Sequence, residues 1–159
     1  LLQNYLSLEH LKKNYYEQKK IIMYILFEIL LVIISYDVHF YYFHRLLHTK
    51  WFYPYHKKHH EHVETRLETT WHADFFENTA SGIGAFYPFI FYPYVSIAGC
   101  IIGSVLCFLN GCIHHSPYLV KLPIMNLWYD EHHINHHRYF NCNYGKYYLD
   151  YIHGTQKKY

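Results

Sequence analysis

The sequence is poor in charge. Asp, Glu, Lys and Arg make up 16% of its 159 residues, against roughly 25% in an average soluble domain. That excludes a disordered tail and a highly charged coiled coil. A net charge of +2 leaves no large basic surface, so nucleic acid is not an expected partner. Seven glycines and five prolines are too few for a collagen-like or low-complexity chain. The four cysteines (Cys100, Cys107, Cys112 and Cys142) form no C-x-x-C pair and no secreted framework, which predicts reduced thiols. No charged segment precedes a short apolar core with a cleavage site, so no signal peptide is read. No repeat of solenoid type occurs. The length fits one domain. What the chain has in excess is histidine and long apolar runs.

Residues 1–20 place Leu1, Tyr5, Leu8, Leu11 and Tyr15 at spacings of three and four, which predicts an amphipathic N-terminal helix. Residues 21–43 are almost wholly apolar, with Glu28 and Asp37 as exceptions. About 20 apolar residues cross a bilayer, and a chain this short cannot surround such a helix with protein. Lys19 and Lys20 at one end and Arg45 at the other read as interface anchors. From Asn78 to Ile113, 36 residues contain no Asp, Glu, Lys or Arg, and Pro88 and Pro93 interrupt them. Residues 94–113 can cross a bilayer, and residues 72–91 can also cross if their polar start sits in the interface. This predicts a helical hairpin within 72–113 that turns near Tyr92 and Pro93. The alternative is one span preceded by a re-entrant segment. Residues 124–139 read as helical, 141–145 as a turn, and 147–153 as a last short helix ended by Gly154. The predicted fold class is all-α: an integral-membrane helical bundle over 21–159, preceded by the helix at 1–20.

Sixteen histidines are present, and thirteen of them lie in 39–62, 114–115 and 132–137. His44 and His48 are at i and i+4. His56, His59 and His60 are at i, i+3 and i+4, and His133, His136 and His137 repeat that spacing. On a helix these offsets share one face. Neutral imidazole is a ligand for Zn, Cu, Fe or Ni. The three groups supply eight histidines, and His114 or His115 can add a ninth. One ion does not use so many; two ions, each with an open position, do. Glu131-His132 does not complete an H-E-x-x-H motif, which argues against a zinc protease. If the 78–113 block crosses twice, all three groups meet on one membrane face. Ten of the fourteen Lys and Arg residues fall on that side, which favours the cytosol.

Taken together, Asp37-x6-HRLLH (to His48), HKKHH (56–60), HINHH (133–137), Asn143-Tyr144-Gly145, Asp150 and Gly154-Thr155 resemble the fatty acid hydroxylase/sterol desaturase superfamily. The resemblance covers about residues 37–155. HRLLH and HKKHHE look most like the sterol C4-methyl oxidase branch. The resemblance implies an integral-membrane, non-haem diiron oxygenase, of the endoplasmic reticulum in eukaryotes. It also implies two Fe ions, with Zn as a possible substitute, and O2 as co-substrate. The implied partners are a membrane lipid substrate (sterol or fatty acyl) and an electron donor such as cytochrome b5 or an NAD(P)H reductase. Carried over by motif, His44, His48, His56, His59, His60, His133, His136 and His137 are the iron ligands. His114-His115-Ser116 occupies the place of a further family histidine, so both histidines are candidates. Asp37, His72, Glu77, Asn143 and Asp150 are candidates to orient the ligands from behind. The family generally has another membrane segment before the Asp-x6-His helix, so a fragment or a reduced form is expected. Two other classes compete: a membrane zinc hydrolase or metal transporter, and an inactive lipid-binding relative.

Overall fold

The computed structural model describes residues 2–119, 121 and 132–157, and among these all regular structure is helical. The first helix, α1 (Leu2–Leu47), is continuous across the boundary expected near residue 20. Nothing between Leu2 and Leu47 stops it, because the segment contains neither Gly nor Pro. At 1.5 Å per residue it is about 69 Å long, over twice the hydrocarbon thickness of a bilayer.

The C-terminal half of α1 is amphipathic in the reverse sense. Met23, Phe27 and Leu30 are exposed, while Glu28, Asp37 and His44 are buried with Val32 and Tyr41. Polar side chains inward and apolar ones outward suit a helix whose surroundings are themselves apolar. Among the described residues, two helices are long and apolar enough to cross a membrane by length and composition, within His10–Leu47 and at Ile97–His114.

After α2 (Tyr53–His56) and two short 3₁₀ turns, the chain runs back along α1 as α3 (Phe75–Gly82) and a 3₁₀ stretch, Ile83–Phe91. The expected first arm over 72–91 is therefore not a continuous α-helix. Pro88 lacks the N–H of an α-helical bond and clashes with the preceding turn, and Gly82 and Gly84 weaken the helix before it. Ser35 Oγ donates to the Gly84 carbonyl (3.1 Å), and His39 Nε2 donates to the Ala80 carbonyl (2.8 Å), tying this arm to α1. The chain turns at Tyr92-Pro93 and returns as α4 (Ile97–His114).

Small residues let α4 approach α1 closely. A Cβ on Gly103 would lie 2.7 Å from Val32 Cβ, so nothing larger fits without a shift. Val32, Ala85, Cys100 and Cys107 form the core between the three arms. At the far end Glu28 accepts from the Ser96 backbone N–H (2.7 Å) and from its hydroxyl, and Ser96 Oγ accepts from Gly99 N–H (3.1 Å). The buried carboxylate thus completes the N-cap of α4. Because the chain goes out and back beside α1, the C-terminal ends of α1 and α4 lie together.

Two short helices, α5 (His132–Tyr139) and α6 (Tyr147–Ile152), close that end. The N-terminal part of the helix expected over 124–139 lies outside the described residues. The loop between α5 and α6 is built on Asp150. Its carboxylate accepts from Tyr144 N–H (2.8 Å), Gly145 N–H (2.9 Å), Thr155 Oγ1 (2.7 Å) and His132 Nε2 (3.1 Å). Asn143 takes a left-handed conformation (φ 57°), which Asn tolerates better than most residues. Its side chain donates to the His132 carbonyl (3.3 Å) and accepts from Lys157 N–H (2.8 Å). Gly145 packs on Tyr41, where a Cβ would sit 3.0 Å from Tyr41 Cβ. Gly154 (φ 65°) follows α6 as expected of a helix stop.

Candidate metal centre

Nine histidines converge in two groups. The first contains His44, His48, His56, His60 and His136; the second contains His59, His115, His133 and His137. Within each group the nearest ligand atoms all lie within 4.8 Å of one another, and every residue except His48 is buried. The two H-x-x-H-H boxes divide between the groups. His56 and His60 go to the first and His59 to the second, while His136 goes to the first and His133 and His137 to the second. On α5 this follows from helical rotation: seen from His133, His137 lies about 40° to one side around the axis and His136 about 60° to the other, so rings on one broad face diverge towards two points. The groups are adjacent, with the His56 and His59 rings stacked at 5.3 Å and the His133 and His136 rings at 5.4 Å.

Hydrogen bonds behind the rings fix which nitrogen faces inward. His44 Nδ1 donates to the Tyr144 carbonyl, His136 Nδ1 to the Cys142 carbonyl (2.6 Å) and His56 Nδ1 to Glu77 Oε1 (2.8 Å). In the second group His115 Nδ1 donates to the Gly111 carbonyl (3.0 Å) and His137 Nδ1 to the His62 carbonyl (3.2 Å). A neutral imidazole protonated at Nδ1 presents a bare lone pair at Nε2. The rings are neutral. Burial, with neighbouring imidazoles adding to it, holds His48, His60 and His137 down at about 2 and keeps His56, His59, His133 and His136 well below the ordinary range. Burial also lowers His115 to about 4, although its bond to the Gly111 carbonyl opposes this.

The Nε2 atoms of each group face one another at short range. In the first group the Nε2···Nε2 separations are 3.1 Å for His44–His56, 3.0 Å for His56–His48 and His56–His60, 3.2 Å for His48–His60, and 3.1 Å for His48–His136 and His60–His136. In the second group His115 Nε2 is 3.2 Å from both His59 Nε2 and His133 Nε2. His137 Nε2 is buried with no hydrogen-bond partner. His44 and His56 face each other as acceptors, which cannot bond one another, and the Nδ1 atoms of His48, His59 and His60 are buried without a partner, so a cation at the facing Nε2 atoms is what makes the arrangement favourable. Nitrogens about 2.1 Å from one ion lie about 3.0 Å apart at right angles and about 3.4 Å apart in a tetrahedron. The residues present therefore fit two ions.

The other expected residues fall in several places. Of the adjacent pair, His115 joins the second group, whereas His114 turns away and its Nε2 accepts from Lys146 Nζ (2.9 Å). Glu77 supports His56, and burial followed by the Asp74 charge pushes its carboxyl up to about 8. Asp150 and Asn143 act one step back, by building the loop that offers the Tyr144 and Cys142 carbonyls. Asp37 touches no histidine; it accepts from Tyr148 OH (3.3 Å). His72 pairs with exposed Glu61 (3.0 Å) and belongs to neither histidine group. Sequence reasoning missed the four backbone carbonyls that orient the rings, since a carbonyl has no side-chain signature. It also missed Lys146.

A cleft with an empty volume of about 780 Å³, partly open to its surroundings, reaches both groups at His44, His59, His115 and His133. Tyr36, Phe40 and Trp71 give it apolar walls, and Trp71 stacks on Phe108 of α4 with ring centroids 4.8 Å apart.

Two all-histidine groups at one end of the helical arms define a candidate two-metal site. The fatty acid hydroxylase family model matches residues 29–155, and the chain belongs to that family. No curated protein and no solved structure matches the chain. Family membership and the two histidine groups together support a diiron-type oxidoreductase site.

Proposed function

We propose that the chain is a membrane-held diiron enzyme that uses O2 to oxidise a C–H bond of a lipid. The observation that carries this reading is the pair of inward-facing Nε2 groups beside an apolar cleft, in a chain of the fatty acid hydroxylase family. Two irons held by neutral histidines would supply oxidising power that no side chain has. His44, His48, His56, His60 and His136 would hold one ion, and His59, His115, His133 and His137 the other.

The protein's own part is to fix the ligands, seat the lipid and exclude water. The Tyr144, Cys142, Gly111 and His62 carbonyls hold the imidazole N–H groups. Glu77 accepts from His56 Nδ1 and fixes the orientation of that ring. Tyr36, Phe40 and Trp71 offer a lipid an apolar wall that leads to His59 and His133. The apolar outer faces of α1 and α4 would lie in lipid, in the endoplasmic reticulum of a eukaryotic cell, with the histidines towards the cytosol. Electrons would come from cytochrome b5 or an NAD(P)H reductase. HRLLH and HKKHHE favour a substrate of the sterol C4-methyl oxidase type.

The test is to strip the metal from the purified chain, restore Fe(II) or Zn(II) separately, and follow lipid oxidation with and without O2. Turnover is expected with Fe(II), O2 and a reductant together. Zinc outranks Fe(II) in raw affinity for such ligands, so zinc in a purified sample is compatible with an iron enzyme. Turnover with Zn(II) alone in the absence of O2 would show a hydrolase and refute the oxygenase reading.

A further inference from the structure

The cleft beside the metal groups is a groove with a floor and two walls. Tyr36 and Phe40 of α1 form the floor, Glu77 and Ser81 of α3 one wall, and Asn110 and Gly111 of α4 the other. A groove between two arms that lie on a third helix opens away from that helix, towards the outside of the bundle. Several polar side chains along it are already bonded. Thr70 Oγ1 donates to the Leu67 carbonyl (2.7 Å), Asn78 Nδ2 to the Trp71 carbonyl (3.2 Å) and Lys146 Nζ to Asn110 Oδ1 (2.9 Å), so an apolar guest takes no partner from them. At the mouth Trp71 lies nearly flat on Phe108, with the ring planes 12° apart. Phe108 ends an exposed apolar stripe on α4, Ile101, Val105 and Phe108. Gly111 follows Phe108 by three residues, and His115 of the second group follows Gly111 by four. Glycine inside a helix destabilises it relative to alanine. At Gly103 packing explains the glycine, because a Cβ would lie 2.7 Å from Val32 Cβ. At Gly111 a Cβ would meet nothing within 4 Å among the described residues, and the backbone is not left-handed. Gly82 also borders open space, but it stands where α3 gives way to 3₁₀ turns and does not line the cleft. What glycine preserves at position 111 is the space itself.

We propose that the lipid enters this groove sideways from the bilayer, between α3 and α4, and that Gly111 sets how bulky it can be beside the second histidine group. This rests on the reading above of a membrane-held lipid oxidase. A lipid lying against the outer stripe of α4 keeps apolar contact from Phe108 to Trp71 and inward to Phe40. The Phe40 ring stands 5.1 Å from the His44 ring and 6.5 Å from the His133 ring, so the path ends between the two groups. Gly111 leaves room at the turn. A larger residue there would project into the passage, while the Gly111 carbonyl that accepts from His115 Nδ1 (3.0 Å) belongs to the backbone and survives the substitution. Gly111 is a specificity-determining position in this scheme.

The test uses two measurements without turnover, so that it can fail independently of the oxidase reading. For the route, Gly111→Cys and, as a reference on the outer stripe, Val105→Cys are made with Cys112→Ser in the iron-loaded full chain and placed in phosphatidylcholine nanodiscs. Each is exposed to hexadecyl methanethiosulfonate or to the charged 2-(trimethylammonium)ethyl methanethiosulfonate, and the modified residue is read by mass spectrometry. The hexadecyl reagent is expected to label position 111 in preference to the charged one, as at position 105. Preference for the charged reagent at position 111 alone would show a groove open to water and overturn sideways entry. For the size limit, the iron-loaded chain in detergent micelles is titrated with tritiated hexadecane and 5α-cholestane, with empty micelles subtracted. Gly111→Leu should retain iron and weaken the binding of whichever hydrocarbon the wild type holds by about tenfold or more, as overpacking does. Gly111→Ala, which should show a smaller loss in the same direction, serves if Gly111→Leu loses iron. Unchanged binding in an iron-loaded variant, or no hydrocarbon binding by the wild type, overturns the proposal. Loss of iron in both variants also overturns it, in favour of a glycine that the metal site itself requires. Sideways labelling and size-limited binding in a chain that oxidises no lipid would instead refute the oxidase reading and leave the entry route standing.

Discussion

Replacing Asp150 should release one metal ion before the other. Its buried carboxylate accepts from four donors: Tyr144 N–H, Gly145 N–H, Thr155 Oγ1 and His132 Nε2. Asp150→Ala leaves these donors unsatisfied at about 1–3 kcal/mol each, on the order of 4 kcal/mol or more in total. That is a large share of a typical 5–15 kcal/mol stability, so this variant unfolds the end of the chain. Asp150→Asn is the informative change, because it keeps the shape and one acceptor oxygen. Its amide still turns N–H groups towards donors, and the Tyr144 and Cys142 carbonyls lose their fixed positions. Those carbonyls orient His44 and His136, both in the first group; the second is held by the Gly111 and His62 carbonyls. Loss of such supporting bonds typically costs 10–100-fold in metal affinity. At limiting iron, elemental analysis should find about one ion per chain in Asp150→Asn where the wild type holds two. Equal loss of both ions, or unchanged occupancy, would refute the reasoning. Burial pushes the Asp150 carboxyl up, but the bonds from His132, Thr155, Gly145 and Tyr144 outweigh it and hold the carboxyl below its ordinary range. The folded value is thus depressed. The stabilisation is fully present above the unfolded pKa of about 3.9 and is lost as pH falls through the lower folded value.

The split of the histidine boxes gives a paired test. His60→Ala should empty the first site and His59→Ala the second, each abolishing oxidation, as X-ray absorption and iron content can follow. His115→Ala should lose the second ion, whereas His114→Ala should keep both; loss of iron in His114→Ala alone would reverse the assignment of that pair. Gly103→Leu should destabilise the α1–α4 contact by about 1–3 kcal/mol through overpacking, read as a lower melting temperature. An unchanged melting temperature would show that the helices are not packed at this glycine.

The convergence of the histidines was legible because imidazole groups at repeated spacings have few other uses, and the return of the chain beside α1 because charge is absent over 78–113, although the outgoing arm is not one helix. Their assignment to ions was not legible. His59 and His60 are neighbours in sequence and serve different groups, since the 3₁₀ turn at His59–Glu61 points successive side chains apart. Histidine spacing alone also could not choose between His114 and His115. That choice depends on Lys146, which reaches α4 from the N-terminal end of α6. The break at Gly82–Ile83 was signalled only weakly by Pro88, because one proline can kink a span without replacing its helix with 3₁₀ turns.

The reversed amphipathicity of α1 links the fold to the site. In water a helix with Phe27, Leu30 and Met23 outside and Glu28, Asp37 and His44 inside would be backwards. The arrangement suits apolar surroundings, where the outward face would need no burial in protein, and the inward polar groups find partners across the three arms. Glu28 caps α4 at one end, Asp37 meets Tyr148 near the other, and His44 meets the Tyr144 carbonyl beyond it. Each of these bonds joins α1 to a segment distant in sequence. The polar face of one long helix therefore sets the register of the returning arms and of the α5–α6 clasp. That register decides whether nine imidazoles meet. A short chain with a small apolar core thus orders its helices through polar contacts inside.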